Sequence, residues 1–217
     1  FYEKSVADVD YAQETNGLIQ GCCPSYNWPR FTSVAWNSHR ILIPWNLYLA
    51  TGDKTMLASH YAKMAQSVDY LAAVAPPGYL GLPSDNGDWV PAGATERQQF
   101  FADAYFYRNA ALMANIAREL GHAGDAAKYH ALATNIQNAF NARYLKDNRY
   151  YGRNTQAGNA LALEFDLVPP ALRSNVLQSL VNTVISNNHH FTTGILGTKS
   201  LVEALWQNNR SDLVFTL

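Results

Sequence analysis

Apolar residues recur at three- and four-residue intervals along most of the chain, the period of helices that bury one face. These segments come in pairs joined by short Gly/Asp turns. In Leu49-Ala50-Thr51-Gly52-Asp53-Lys54, Gly52 suits the left-handed position that ends a helix. Asp53 suits the N-cap of the next helix, which carries Leu57, Tyr61, Met64, Val68 and Leu71 on one face. The design repeats: a helix over 101–120 stops at Gly121, and after Gly124-Asp125 a new one carries Tyr129, Leu132, Ile136 and Phe140. Val168-Pro169-Pro170 opens a further helix with Leu172, Val176, Leu180 and Val184, and another follows over 200–206. Tight turns alternate with long irregular connections, chiefly 76–97, which contains Gly78, Gly81, Pro83, Asp85, Gly87, Asp88 and Pro91. The pattern predicts an all-α fold of helical hairpins, a solenoid or a closed ring, with long loops framing a pocket at one end. Within the long loop, Gly78-Tyr79-Leu80-Gly81-Leu82 alternates as a short β-hairpin would.

Composition narrows the classes of function. The chain has 217 residues, enough for one domain with a real core or for a slice of something larger. Phe1-Tyr2-Glu3-Lys4 starts inside a helical pattern and Asp212 to Leu217 ends inside one, so both ends read as cut from a longer protein. Net charge is -1 and the basic residues are scattered, which argues against a nucleic-acid partner. No apolar run reaches the roughly 20 residues that cross a bilayer, so no membrane partner is expected. Cys22 and Cys23 are adjacent, a spacing that suits neither a disulfide framework nor a zinc site, and they read as ordinary small side chains. His189-His190 has no third ligand at metal-binding spacing, so neither a metal nor another cofactor is expected. Asn209-Arg210-Ser211 is a glycosylation sequon that matters only on a eukaryotic secretory route. Localisation stays open, with secretion favoured over the cytoplasm.

The candidate chemistry lies in two tryptophans set among polar, turn-forming neighbours: Trp36 in Val34-Ala35-Trp36-Asn37-Ser38, and Trp89 in Asn86-Gly87-Asp88-Trp89-Val90-Pro91. An indole beside carboxylates and amides offers an apolar face to the C–H side of a pyranose while its neighbours bind hydroxyls. Each could equally be a core residue. Asp85 and Asp88 are the only closely spaced carboxylates in a loop that also holds such an indole. Asp85 suits a turn around Gly87, whereas Asp88 stands open between a turn and an acid or base role. Asp8, Asp10 and Asp103 read as solvated or capping residues on helices, and His39, His60, His122 and His130 as helix-surface or turn residues. Tyr105, Phe106 and Tyr107 read as core, with Tyr105 the one allowed near a pocket. No nucleophile elbow, phosphate loop or dinucleotide fingerprint occurs.

The segment Asp103-Ala104-Tyr105-Phe106-Tyr107-Arg108-Asn109-Ala110-Ala111-Leu112-Met113-Ala114 resembles a helix of the bacterial and fungal α-L-rhamnosidases. Other blocks resemble the same family in order: Ile43-Pro44-Trp45-Asn46-Leu47-Tyr48-Leu49-Ala50-Thr51-Gly52-Asp53, Gly87-Asp88-Trp89, 160–169 and Thr192-Thr193-Gly194-Ile195-Leu196-Gly197-Thr198. The resemblance runs along essentially the whole chain. It implies a six-hairpin (α/α)6 toroid, of which residues 1–217 are the central part of a single catalytic domain, an incomplete arc truncated at both ends with long loops on the pocket side. It also implies an inverting glycoside hydrolase that releases terminal α-L-rhamnose from a glycoside or polysaccharide, with flanking domains of the parent chain as partners. Inversion needs an acid and a base carboxyl about 6.5–9.5 Å apart, with a water between base and sugar. The resemblance implies that both glutamates lie outside this chain, with Asp88 the fallback inside it. It carries over Trp36, Asp88, Trp89 and Thr193 as substrate-binding residues. Tyr105 and His190, which leads into Phe191-Thr192-Thr193, are added from their own positions.

The chain departs from the family at Asn37-Ser38-His39, where a Gly-Asp-Ala run is more usual, so an acidic group there is replaced by Ser38. The segment by itself is expected to be inactive. Two alternatives stay open: a non-catalytic helical carbohydrate-binding or scaffold module, and another six-hairpin hydrolase acting on glucosides or uronides.

Overall fold

The structure is a computed structural model that describes residues 1–21, 23, 33–82 and 86–217. About two-thirds of the described residues are helical, and the only strands among them form one two-residue antiparallel pair. The chain divides into two compact units, 1–85 with 105–136 and 86–104 with 137–217.

In the first unit, α1 (Tyr2–Ala12), α2 (Val34–Asn37), α3 (His39–Thr51) and α4 (Thr55–Val74) are joined by parts of α5 (Gln98–Glu119) and α6 (Ala123–Tyr144). Val6, Val9, Ile41, Leu57, Met64 and Val68 are buried, as the four-residue spacing in α4 requires. Each such side chain contributes on the order of 2 kcal/mol when fully removed from water. Gly52 ends α3 in the left-handed conformation, with φ 73°. The next helix starts one residue later than the sequence suggests: Lys54 is its N-cap, and Asp53 reaches forward to accept from the Thr55 amide and hydroxyl. A Cβ added at Gly52 would meet nothing within 4 Å, so only backbone strain opposes it. Gly52→Ala is therefore expected to cost about 1 kcal/mol in thermal unfolding of the intact parent protein.

Two polar readings change here. Asp10 is not a solvated helix face: its carboxylate pairs with the fully buried Arg40 guanidinium and lies 2.7 Å from His60 Nδ1. Burial pushes the Arg40 guanidinium below its ordinary pKa, and Asp10 opposes that shift. His60 is thus a partly buried partner tying α4 to α1. The glycine-rich 78–82 stretch is a turn, with Gly78, Tyr79 and Gly81 at positive φ, and its backbone pairs with no strand among the described residues.

The second unit holds the remainder of α5 and α6, β1 (Leu145–Lys146), β2 (Tyr150–Tyr151), α7 (Gln156–Glu164), a 3-10 turn (Pro170–Leu172), α8 (Arg173–Ser186), α9 (Ile195–Gln207) and α10 (Ser211–Val214). Every residue of α7 is buried, and the helix packs against α8 and α9. Its polar side chains are drawn into pairs: Asn159 accepts from the Tyr151 amide and donates to Asn154, and Glu164 Oε1 pairs with Lys199 at 2.8 Å, while Glu164 Oε2 is buried with no partner among the described residues. Phe100, Phe140, Tyr144 and Tyr151 form an aromatic cluster with centroids 4.6–5.9 Å from Phe140. Asp103, read from the sequence as a solvated or capping residue, is fully buried and accepts from Gln99 and from the Tyr144 hydroxyl at 2.7 Å. Burial together with Asp103 pushes the Tyr144 phenol far above its ordinary pKa.

Several helix starts differ from the sequence pattern. α5 begins three residues before Phe101, and α6 begins at Ala123 with Gly124 and Asp125 inside its first turn. Val168-Pro169-Pro170 leads into the 3-10 turn before α8, and α9 begins at Ile195 instead of Ser200.

Candidate functional site

The early start of α9 follows from the loop docked on its N-terminus. A helix N-terminus leaves backbone N–H groups without intrahelical partners. Here a carboxylate 106 residues away in sequence supplies acceptors: Asp88 Oδ2 takes the Gly194 amide at 2.7 Å. Asp88 Oδ1 takes the Gly197 amide at 2.8 Å. The Thr95 hydroxyl donates to Oδ2 at 3.3 Å. The Ile195 amide donates to the Trp89 carbonyl at 3.0 Å, and the Gly93 amide to the Thr192 carbonyl at 3.0 Å. Asp88 is 4 % exposed.

The approach is close enough to require glycine. A Cβ at Gly194 would lie 2.4 Å from the Trp89 carbonyl oxygen and 2.6 Å from that of Asp88. One at Gly197 would lie 2.6 Å from Asp88 Oδ2. Out of this anchored base Trp89 projects half-exposed, at 52 %, followed by Val90 at 71 %. Val90 has φ 56°, a left-handed conformation that a β-branched residue adopts at a cost of about 1–3 kcal/mol.

Thr193, on the other side of this contact, is buried, and its hydroxyl bonds Thr198 Oγ1 at 2.7 Å. His190 is exposed; its carbonyl accepts from Gln156 Nε2, and Gln156 Oε1 accepts from the Thr192 amide. The buried Gln156 therefore clamps the segment that leads into Gly194. Asp88, Trp89, His190 and Thr193 all lie in the second unit, and the structure brings Asp88, Trp89 and Thr193 into one docked loop pair. Asp85 lies outside the described residues, as does Cys22. The Cys23 thiol is directed at the Gln20 carbonyl.

The first unit holds the other two candidates. Trp36 is on α2, whose N-cap Ser33 accepts from the Trp36 amide. Its indole is partly exposed, while Nε1–H is buried and has no hydrogen-bond partner among the described residues. Ser38, at the departure from the family pattern, is buried and donates to the Val34 carbonyl at 2.7 Å, so it serves α2 itself. Behind α2, between Ile19, Val34, Asn37, Ser67 and Asn109, lies a pocket of about 40 Å³. That is enough room for ordered water. Tyr105 is buried in the core of this unit.

Glu96 escaped sequence reasoning. It is buried, and its carboxylate accepts the Arg153 amide at 2.9 Å and the Thr155 hydroxyl at 2.8 Å. Burial pushes its carboxyl above the ordinary glutamate pKa, and the donors from Arg153 and Thr155 pull the other way. Gly152 and Gly158 make room for it, with Cβ positions 2.3 and 2.8 Å from its oxygens. Neither glycine's position in the sequence announces a carboxylate 56 to 62 residues away. Among the described residues no group of three or more His, Cys, Asp or Glu side chains is arranged to hold a metal, and no helix is long and apolar enough to cross a membrane.

The bacterial α-L-rhamnosidase six-hairpin glycosidase domain matches residues 1–217. The chain belongs to that family. An α-L-rhamnosidase from Alteromonas sp. (strain LOR) is 30 % identical over the whole of this chain, which corresponds to 25 % of that protein. The solved α-L-rhamnosidase of Streptomyces avermitilis complexed with L-rhamnose matches with a TM-score of 0.92 and 31 % identity, over 98 % of this chain and 20 % of that one. The α-L-rhamnosidase from Dictyoglumus thermophilum gives a TM-score of 0.90 at 30 % identity, over 100 % of this chain and 25 % of that one. The chain thus spans about a quarter of the length of the relatives it matches, and its fold class is that of the six-hairpin glycosidase domains.

Proposed function

We propose that the protein containing this chain is an α-L-rhamnosidase, a glycoside hydrolase that releases terminal α-L-rhamnose with inversion. Residues 1–217 are then the central part of its single (α/α)6 catalytic domain, and the acid and base glutamates come from sequence outside it. The observation that carries this reading is Trp89, half-exposed on a backbone-anchored loop in a family of rhamnosidases. Trp36 adds a partly exposed indole. Likeness to a relative complexed with L-rhamnose supports the same sugar. The substrate is a rhamnose-containing glycoside or polysaccharide. Trp36 and Trp89 each offer an apolar face to sugar C–H groups, and Thr193 and His190 belong to the segment beside Trp89. Within this chain Asp88 and Glu96 both spend their oxygens on backbone amides, which favours catalytic carboxyls elsewhere and an inactive isolated segment.

The test is rhamnose release from an aryl α-L-rhamnoside by the intact parent protein. Trp36→Ala and Trp89→Ala are each expected to raise KM about tenfold, since a stacked aromatic contact is worth about 1 kcal/mol or more and about 1.4 kcal/mol is tenfold. No release, with rhamnose still quenching tryptophan fluorescence, would mark a binding module instead; neither signal would mean the wrong sugar.

A further inference from the structure

We propose that Asp88 is a positioning residue for the Trp89 platform, acting through the first turn of α9 and not by contact with sugar or proton. The inference rests on the reading of Trp89 as a sugar platform.

Both Asp88 oxygens already take backbone amides, and Oδ2 also takes the Thr95 hydroxyl, so three of the roughly four acceptor sites of the carboxylate are occupied. The group is almost fully buried, while the next residue, Trp89, is half-exposed. Trp89 is held at its own carbonyl by the Ile195 amide. Three donors of one helical turn, at 194, 195 and 197, therefore grip two successive loop residues. Glycine at 194 and 197 lets the loop backbone come this close. On the far side, the Ala92 and Gly93 amides bond the Thr193 and Thr192 carbonyls, so Val90 is held at positive φ between two clamped stretches. A strained residue persists only where its surroundings over-determine it, and here they fix the direction in which the chain presents the indole. A preformed platform binds without the ordering cost that a loose one would incur.

Asp88→Asn tests this, because one amide oxygen can still accept while the NH2 group faces a backbone N–H, donor against donor. In the intact parent protein, acting on an aryl α-L-rhamnoside, Asp88→Asn is expected to raise KM about fivefold with kcat and its pH profile unchanged, the signature of lost uniform binding. In a Trp89→Ala background the same substitution is expected to add nothing, since residues acting through one contact do not add. The proposal is overturned if the two KM effects multiply in the double variant, or if Asp88→Asn alone shifts the pH profile of kcat. If Trp89→Ala alone leaves KM unchanged, the platform reading itself fails. Should Asp88→Asn not fold, Thr95→Val removes only the longest of the three bonds. It must then raise KM by a smaller factor and be masked in the same way by Trp89→Ala, and additivity there would equally sink the proposal.

Discussion

Gly194→Ala is expected to destabilise the docked loop by about 3 kcal/mol, the upper end for overpacking a closed contact. The atoms in the way are the carbonyl oxygens of Trp89, which accepts from the Ile195 amide, and of Asp88, whose side chain is held by α9; both are backbone, so neither can swing aside as a flexible side chain would. Relief requires the 88–93 loop to lift from α9. That would break the bonds from Gly194 and Gly197 to Asp88 and leave a buried carboxylate short of donors. Gly194 itself has φ -98°, so the whole effect comes from contact and none from backbone preference. Gly52→Ala is the reverse case, with positive φ and open space, and should cost about a third as much. Hydrogen exchange of the 88–93 and 194–198 amides in the intact parent protein checks this. The expected result is loss of protection in both segments together, and unchanged protection in the variant would refute the account.

Glu96→Ala is expected to cost a similar amount, about 3 kcal/mol, by leaving the Arg153 amide and the Thr155 hydroxyl unpaired and a void beside Gly152 and Gly158. Glu96→Gln should be milder, because its amide oxygen can still accept from Arg153. Gln also isolates the pH term. The folded-state pKa of Glu96 is raised above its unfolded value, chiefly by burial. The folded protein therefore holds this proton more tightly than the unfolded chain does. The contribution of Glu96 to stability is largest below the ordinary glutamate pKa. It is lost as pH rises from there through the raised folded value, and is constant above it. Thermal unfolding midpoints of wild type and Glu96→Gln, measured across the weakly acidic range, should differ by an amount that shifts against the wild type as pH rises. A pH-independent difference would show that the carboxylate is not desolvated.

Much of the helical scheme was legible because helix signals are local. The buried stripe Leu57, Met64, Val68 and the left-handed Gly52 follow from residues within a turn or two of one another. Where the sequence pattern misled, the competing partner was distant. Asp103 and Asp10 sit among ordinary helical polar positions, and only the arrival of Tyr144 on one, and of Arg40 and His60 on the other, makes the first buried and the second partly buried. The glycine alternation at 78–82 has a strand's period, but a strand exists only when another lies beside it, and the pair formed at 145–146 and 150–151 instead. The first turn of α9 lacks a local capping side chain, so its start was invisible five residues before Ser200.

The same division runs through the candidate site. Sequence alone determined that Trp36 and Trp89 stand among turn-forming polar residues, that the chain is all-α, and that its blocks follow one family's order, since each is a property of near neighbours or of order along the chain. Only the tertiary structure decided that Asp88 is an anchor for α9, that Glu96 is buried, and that Gly194 and Gly197 are obligatory. Those properties depend on groups 57 to 109 residues apart meeting at 2.7–2.9 Å, and hydrogen-bond chemistry acts over distance in space, with no periodicity along the chain to announce it.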